Sequence, residues 1–205
     1  MVDNCLNIAN EIKGCTLCSL SKSRKEAVPG SGSFFAEIMF VGEAPGYYED
    51  QEGIPFVGRA GNLLDEMLQS IKLNRDDVFI TNMLKCRPPS NRDPLDDELF
   101  ACSQYLERQI EVVSPKVIVT LGRFSFGRFF PGELISKSRG IPREWKELLV
   151  FPMYHPAAAL RNSKYKDALE SDFAKLSELL RSSTETSNES TNREHYENPK
   201  QLNLF

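Results

Sequence analysis

Four short apolar runs recur along the chain, at residues 38–41 (Ile-Met-Phe-Val), 78–81 (Val-Phe-Ile-Thr), 117–121 and 148–151 (Leu-Leu-Val-Phe). Runs this short, rich in β-branched and aromatic residues and not alternating with polar ones, predict strands buried on both faces. The stretches between them follow a helical period instead. Residues 62–71 place Leu63, Leu64, Met67, Leu68 and Ile71 on one stripe. Residues 94–113 begin with Pro94 after Asp93, a capping residue followed by proline at the first helical position, and carry Leu95, Leu99, Cys102, Leu106, Ile110 and Val113 at helical spacing. A last helix near residues 167–181 carries Leu169, Phe173, Leu176, Leu179 and Leu180. Strands alternating with helices predict an α/β fold, a mostly parallel sheet covered on both faces. There is no internal repeat.

Three of the strands run into clusters of unusual polar composition. After residue 41 comes Gly42-Glu43-Ala44-Pro45-Gly46, two glycines, a proline and a carboxylate within five residues. That composition suits a tight loop whose backbone approaches something closely. The second strand leads into Asn82 and then Lys85-Cys86-Arg87-Pro88-Pro89, and the fourth into His155-Pro156-Ala157-Ala158-Ala159-Leu160-Arg161. In open α/β sheets, ligands bind beyond the carboxyl ends of the strands. The three clusters therefore predict one pocket assembled from distant segments.

Composition narrows the setting. A chain of 205 residues fits one domain plus an appendage. No apolar run approaches the roughly 18 residues of a membrane span, and no signal-peptide pattern opens the chain, so a cytoplasmic, monomeric protein is expected. The net charge of −4 excludes wholesale coating of nucleic acid and requires any DNA contact to come from a local basic face. Residues 182–200, SSTETSNESTNREHYENPK, hold almost no large apolar side chain. They predict a disordered linker, because such a segment cannot bury enough surface to offset its ordering entropy. Hydrophobicity returns only in Gln201-Leu202-Asn203-Leu204-Phe205.

The five cysteines are Cys5, Cys15, Cys18, Cys86 and Cys102. Cys15 and Cys18 stand two residues apart, a spacing that points to metal ligation, although Cys102 alone also reads as a small apolar residue of its helix. Spacing does not separate zinc from an iron–sulfur cluster, since both accept four thiolates. Cys5 is expected to be a plain thiol.

In order, the motifs GEAPGYYEDQEGIPFVGRAG, TNMLKCRPPSNRDP and HPAAALR, with four cysteines spaced Cys-x2-Cys, Cys and Cys, resemble the family 4, iron–sulfur type of uracil-DNA glycosylase over about residues 15 to 180. The resemblance implies a three-layer α/β/α sandwich with a central four-stranded sheet. It implies a [4Fe–4S] cluster on Cys15, Cys18, Cys86 and Cys102, and hydrolysis of the bond between uracil and deoxyribose in DNA. The domain organisation expected is then a catalytic domain over residues 1–181, the linker, and a terminal motif over residues 201–205.

The same resemblance assigns roles that side-chain chemistry can meet. Phe56 matches the residue that stacks on the flipped base, a contact worth about 1–3 kcal/mol; Gly42 and Ala44 belong to the loop around it. Asn82 matches the uracil-reading asparagine, its amide offering both a donor and an acceptor. His155, one of two histidines in the chain, matches the donor to uracil O2, where charge develops as the bond breaks. Relatives with a GQDPY loop carry an aspartate where this chain has Ala44, which leaves Glu43 and Glu49 as candidates to orient water or stabilise the sugar cation. No motif lysine is expected to act as a Schiff-base nucleophile, so a monofunctional hydrolase is expected. Arg87, Arg161 and the basic residues Arg92, Lys137, Arg139 and Lys164 are candidates for phosphate contact, and Leu160 for a wedge into the gap left by the flipped base. Gln201-Leu202-Asn203-Leu204-Phe205 resembles the QLxLF peptide that docks on the DNA sliding clamp, with Gln201 at the rim and Leu202, Leu204 and Phe205 in an apolar pocket. Three alternatives stay open: a superfamily member with other damaged-base specificity, a non-catalytic iron–sulfur DNA-binding module, and a small-molecule hydrolase on the same sheet.

Overall fold

The computed structural model describes residues 4–194, with side chains through residue 182. Its elements in chain order are α1 (Cys5–Gly14), β1 (Ser31–Gly32), β2 (Ile38–Gly42), α2 (Tyr47–Glu52), α3 (Arg59–Ser70), β3 (Phe79–Asn82), α4 (Asp96–Val113), β4 (Val117–Leu121), α5 (Arg123–Phe129), α6 (Ile135–Ser138), β5 (Arg143–Trp145), β6 (Leu148–Met153), α7 (Pro156–Ala159) and α8 (Ser163–Glu194). They form a six-stranded sheet of order β1-β3-β2-β4-β6-β5. The inner four strands are parallel and are the four expected from sequence; β1 and β5 pair antiparallel at the two edges. The expectation of four strands is thereby corrected to six. The edge strands span two and three residues and are only partly buried, too short to carry an apolar pattern.

Alternate residues of β2 supply the two cores. Ile38 and Phe40 face one layer, with Leu64 and Leu68 of α3 and Leu169 and Phe173 of α8. Met39 and Val41 face the other, with Leu106 and Val113 of α4 and Phe129 of α5. This is the expected α/β/α sandwich. The strand order reverses between β2 and β4, so the chain departs from the sheet in opposite directions there. At such a switch point a crevice opens beyond the strand ends.

Several boundaries differ from expectation: α3 is Arg59–Ser70 instead of residues 62–71 and β6 runs on to Met153, and three further differences have a consequence. Helix α4 starts at Asp96, with Leu95 as its capping residue, instead of at Pro94 after Asp93. Glu98 explains the shift: it accepts from the Leu95 backbone N–H at 3.0 Å while Arg92 grips its two oxygens at 2.9 and 2.6 Å. Asp93 is instead paired to Arg123 at 2.5 Å. Strand β3 is shifted by one residue and includes Asn82, which pairs in register with Gly42. Helix α8 continues to Glu194, so the first part of the segment expected to be disordered is helical backbone. Its apolar stripe still ends at Leu179 and Leu180. Residues 195–200 and the terminal motif Gln201, Leu202, Leu204 and Phe205 lie outside the described residues. No described helix is long and apolar enough to cross a membrane.

Candidate active site

The ends of β2, β3, β4 and β6 meet around a cavity of about 560 Å³. Glu43, Ala44 and Gly46 line it from the β2 side, Asn82 from β3, Gly122 from β4 and His155 from β6; Phe56, Glu49 and Arg161 complete the group. The predicted convergence of three distant motifs is what the structure contains. Of the residues expected to touch DNA, Arg161 and Arg92 line this cavity, Arg92 with its guanidinium held by Glu98. Leu160 instead lines a neighbouring groove of about 400 Å³ with Arg59, Asn62 and Lys166, and is 40% exposed. Arg139 does not point to phosphate: it is committed to the buried carboxylate of Asp172, its Nε donating at 2.8 Å.

Asn82 forms the floor. Its side chain is almost wholly buried, 2% exposed, and its Oδ1 has no hydrogen-bond partner. The other such atom among the described residues, Thr120 Oγ1, belongs to β4. An unpaired buried carbonyl costs free energy that a bound donor recovers. Gly42 makes this arrangement possible. A Cβ at that position would come within 2.2 Å of Asn82 Oδ1 and 2.7 Å of Phe56 Cζ, so only glycine lets the asparagine and the ring approach the same spot.

Phe56 sits in the left-handed region, φ 55°, a conformation that costs a bulky residue energy and persists only when neighbours enforce it. The enforcement is visible. Arg75 donates to the carbonyl of Pro55 at 3.0 Å and also to that of Phe56, and Gly61 leaves space where a Cβ would overlap the Phe56 carbonyl. The ring lies roughly parallel to that of His155, 22° between planes and 5.5 Å between centroids.

His155 caps α7. Its Nδ1 accepts from the Ala157 backbone N–H at 3.0 Å, so the neutral ring carries its hydrogen on Nε2. The imidazole is half-buried by surface area but enclosed by Phe56 and Gly122, and this desolvation lowers its pKa to about 4. At neutral pH the ring is an uncharged hydrogen-bond donor. Gly122, φ 97°, lets the strand end pass close to the imidazole, since a Cβ there would stand 3.2 Å from His155 Cβ.

The two candidate carboxylates differ. Glu49 is held by three backbone N–H groups, those of Val57 and Gly58 on Oε1 and Gly46 on Oε2, each at 3.1 Å. It ties the Gly42–Gly46 loop to the Phe56 loop. Glu43 makes no such bonds among those resolved; burial raises its pKa, Asp93 adds to the rise and Arg123 opposes it.

Behind Asn82 lies a residue whose role the sequence did not announce. Lys85, inside the TNMLKCRPPSNRDP motif, is 1% exposed and donates from Nζ to Thr81 Oγ1, to the Asn82 carbonyl and to Gln109 Oε1, each at 2.7 Å. All three ammonium hydrogens are used, and burial lowers its pKa to about 8. It is no nucleophile; it braces the strand end that carries Asn82. Arg75 was equally silent in sequence, since nothing near it marks a partner at Phe56.

Cys15, Cys18, Cys86 and Cys102 line one small cavity with Arg24, Lys85 and Tyr105. Arg24 donates to Cys86 Sγ at 3.1 Å. The four are not joined in disulfides. Among the described residues, no three histidine, cysteine or carboxylate side chains are grouped as a single metal ion requires. Cys5 is elsewhere, buried with Met39 and Val41 in the α4-side core.

A model of the uracil DNA glycosylase superfamily matches residues 29–179. The type-4 uracil-DNA glycosylase of Saccharolobus solfataricus is 53% identical over 191 residues, covering 88% of each chain. That of Sulfurisphaera tokodaii is 54% identical, over 87% of this chain and 86% of its own; that of Archaeoglobus fulgidus is 49% identical, over 84% and 92%.

Proposed function

The chain belongs to the uracil DNA glycosylase superfamily, and from that premise we propose that it excises uracil from DNA by hydrolysing the N-glycosidic bond. The observation that carries the reading is Asn82 Oδ1, buried and unpartnered, beside the ring of Phe56, in a cavity that a neutral His155 also lines. A base within a duplex is out of reach, so uracil is extruded into the cavity. Phe56 stacks on it. Asn82 Oδ1 accepts the N3–H of uracil and its amide donates to O4; cytosine presents the opposite pattern at both atoms and leaves the buried amide mispaired. His155 Nε2–H donates to O2, where negative charge accumulates as the bond to the sugar lengthens. Glu43, unlike Glu49, has capacity left to orient water or stabilise the cationic sugar; Glu49 positions both loops.

Cys15, Cys18, Cys86 and Cys102 would hold a [4Fe–4S] cluster. The support is that the four thiols line one cavity, as a four-thiolate centre requires, and that the cations of Arg24 and Lys85 beside them offset thiolate charge. Such a group supplies cross-linking of α1's end to the Cys86 loop and α4. The purified protein should be brown with about four irons per chain; a colourless protein with one zinc contradicts the cluster and leaves the fold intact.

Gln201, Leu202, Leu204 and Phe205 would dock on the DNA sliding clamp, with roughly micromolar affinity for so short a motif. The support is the sequence pattern alone. Deleting residues 201–205 should abolish clamp binding in calorimetry and leave excision from short oligonucleotides unchanged; equal clamp binding by the truncated chain refutes it.

The decisive test of the main reading is incubation of the purified chain with single-stranded and duplex oligonucleotides carrying one uracil, followed by alkaline cleavage. Strand breaks at uracil support it, and intact strands sink it.

A further inference from the structure

We propose that Tyr47, Tyr48 and Arg87 form a ledge at the cavity rim on which the nucleobase next to the flipped uracil stacks, an inference that rests on the uracil-excision reading. Both tyrosines open α2 with more than half of their surface exposed, 53% and 57%. They are flanked by Gly46 and Glu49, which line the cavity, so the pair stands at its edge. The rings meet edge to face, 5.4 Å between centroids at 83°. The guanidinium carbon of Arg87 lies 5.2 Å from the Tyr47 ring centroid, and its Nε donates to Asn91 Oδ1 at 2.7 Å. Asn91 lines the cavity in turn. Tyr48 is seated over Gly58, where a Cβ would approach its ring to 3.2 Å. Arg87 and Asn91 therefore link the Tyr47 face to the cavity wall, and Gly58 seats Tyr48 beside it.

An aromatic face joined to a cation is the combination that binds single-stranded nucleic acid without reading sequence, because every base offers a π-face and every linkage a phosphate. Extruding a base removes one stacking partner from its neighbour; a ledge beside the point of entry replaces it. The net charge of −4 makes such a local device necessary, since the chain as a whole does not attract polyanions. A protein partner would use the same aromatic surface, but nothing would then place it against a base-sized cavity with its cation bonded to the cavity wall.

The test uses the full chain carrying Tyr47→Ala with Tyr48→Ala, and a second chain carrying both as Phe. Steady-state excision is measured on single-stranded and duplex uracil oligonucleotides, and fluorescence anisotropy on a uracil-free single strand. The alanine pair should raise KM and the anisotropy Kd roughly tenfold or more, with the effect concentrated in KM, whereas the phenylalanine pair stays within about twofold of the parent because stacking survives. Inhibition by free uracil should persist in both. Unchanged KM and Kd in the alanine pair overturn the ledge, and an equal loss in the phenylalanine pair overturns stacking as its basis. If the parent chain releases no uracil, the excision reading falls and takes the ledge with it; if it does, the KM and anisotropy arms decide the ledge separately from that reading.

Discussion

On the cavity side of β3, Asn82 presents a buried carbonyl oxygen with nothing to accept from; on the other side, Lys85 spends all its hydrogens on Thr81, Gln109 and the backbone of Asn82 itself. The same division separates Glu43 from Glu49, and the Nε2 edge of His155 from its Nδ1 edge. Asn82 Oδ1, Glu43 and the Nε2 edge of His155 are left open towards the cavity, while Lys85 behind Asn82, Glu49 in the cavity wall and the Nδ1 edge of His155 are engaged by the protein. An unpaired polar atom is useful only if it cannot swing round to find a partner within the protein, and the saturated residues behind it prevent that. The price is a modest loss of stability at the front, recovered when substrate binds.

Substitutions at the front should therefore damage activity and spare folding. His155→Ala and Asn82→Ala are each expected to lower single-turnover excision by at least about a hundredfold, the scale of a lost preorganised donor or reader, with thermal midpoints near that of the parent. Near-parental excision in both variants would break the comparison at its active face.

Behind Asn82 the order reverses. Lys85→Met leaves three buried acceptors without their donor and should cost about 2–3 kcal/mol in urea unfolding, whereas Asn82→Ala removes an atom already unpaired and should cost less than about 1 kcal/mol. Equal losses would mean that the two sides of β3 do not differ as described.

The carboxylates allow a sharper version. Glu49→Gln weakens a threefold grip on backbone N–H groups and should destabilise by roughly 1–2 kcal/mol, while Glu43→Gln should leave the unfolding midpoint in place and slow excision about tenfold or more. The smallest effect concerns His155. Its folded pKa of about 4 lies below the ordinary 6.5, so the unfolded chain binds the extra proton in that window. The stability this residue contributes is complete above pH 6.5 and is lost as pH falls towards 4. Imidazole nitrogen shifts followed by NMR should show a neutral Nε2–H ring from pH 8 to about 5; a midpoint near 6.5 would contradict the enclosed, front-facing ring.

Much of this arrangement was legible in the chain. The four inner strands announced themselves as unbroken apolar runs because both faces of a parallel sheet are buried, and the composition of Gly42–Gly46 marked a loop built for close approach. The edge strands β1 and β5 escaped because two or three half-exposed residues carry no period. The start of α4 was misplaced because Asp93 before a proline reads as a cap, whereas Arg123 engages Asp93 and Arg92 holds Glu98 where it accepts from the Leu95 N–H. Ala44, Phe56, Asn82 and His155, which line the cavity, and Gly42 beside Asn82 were named through the resemblance; the division of labour between Glu43 and Glu49 was not, since the amides of Val57 and Gly58 that occupy Glu49 belong to another loop.

What the sequence determined by itself is local: which segments bury two faces, where glycine is needed, which side chains have the donors and acceptors to read a base. Tertiary structure decided which of those groups are left unpaired. Whether Asn82 Oδ1 lacks a donor, whether Lys85 is a nucleophile or a brace, and which edge of His155 carries hydrogen all depend on neighbours distant in sequence, and hydrogen bonding is set by separation in space, to which sequence separation is no guide.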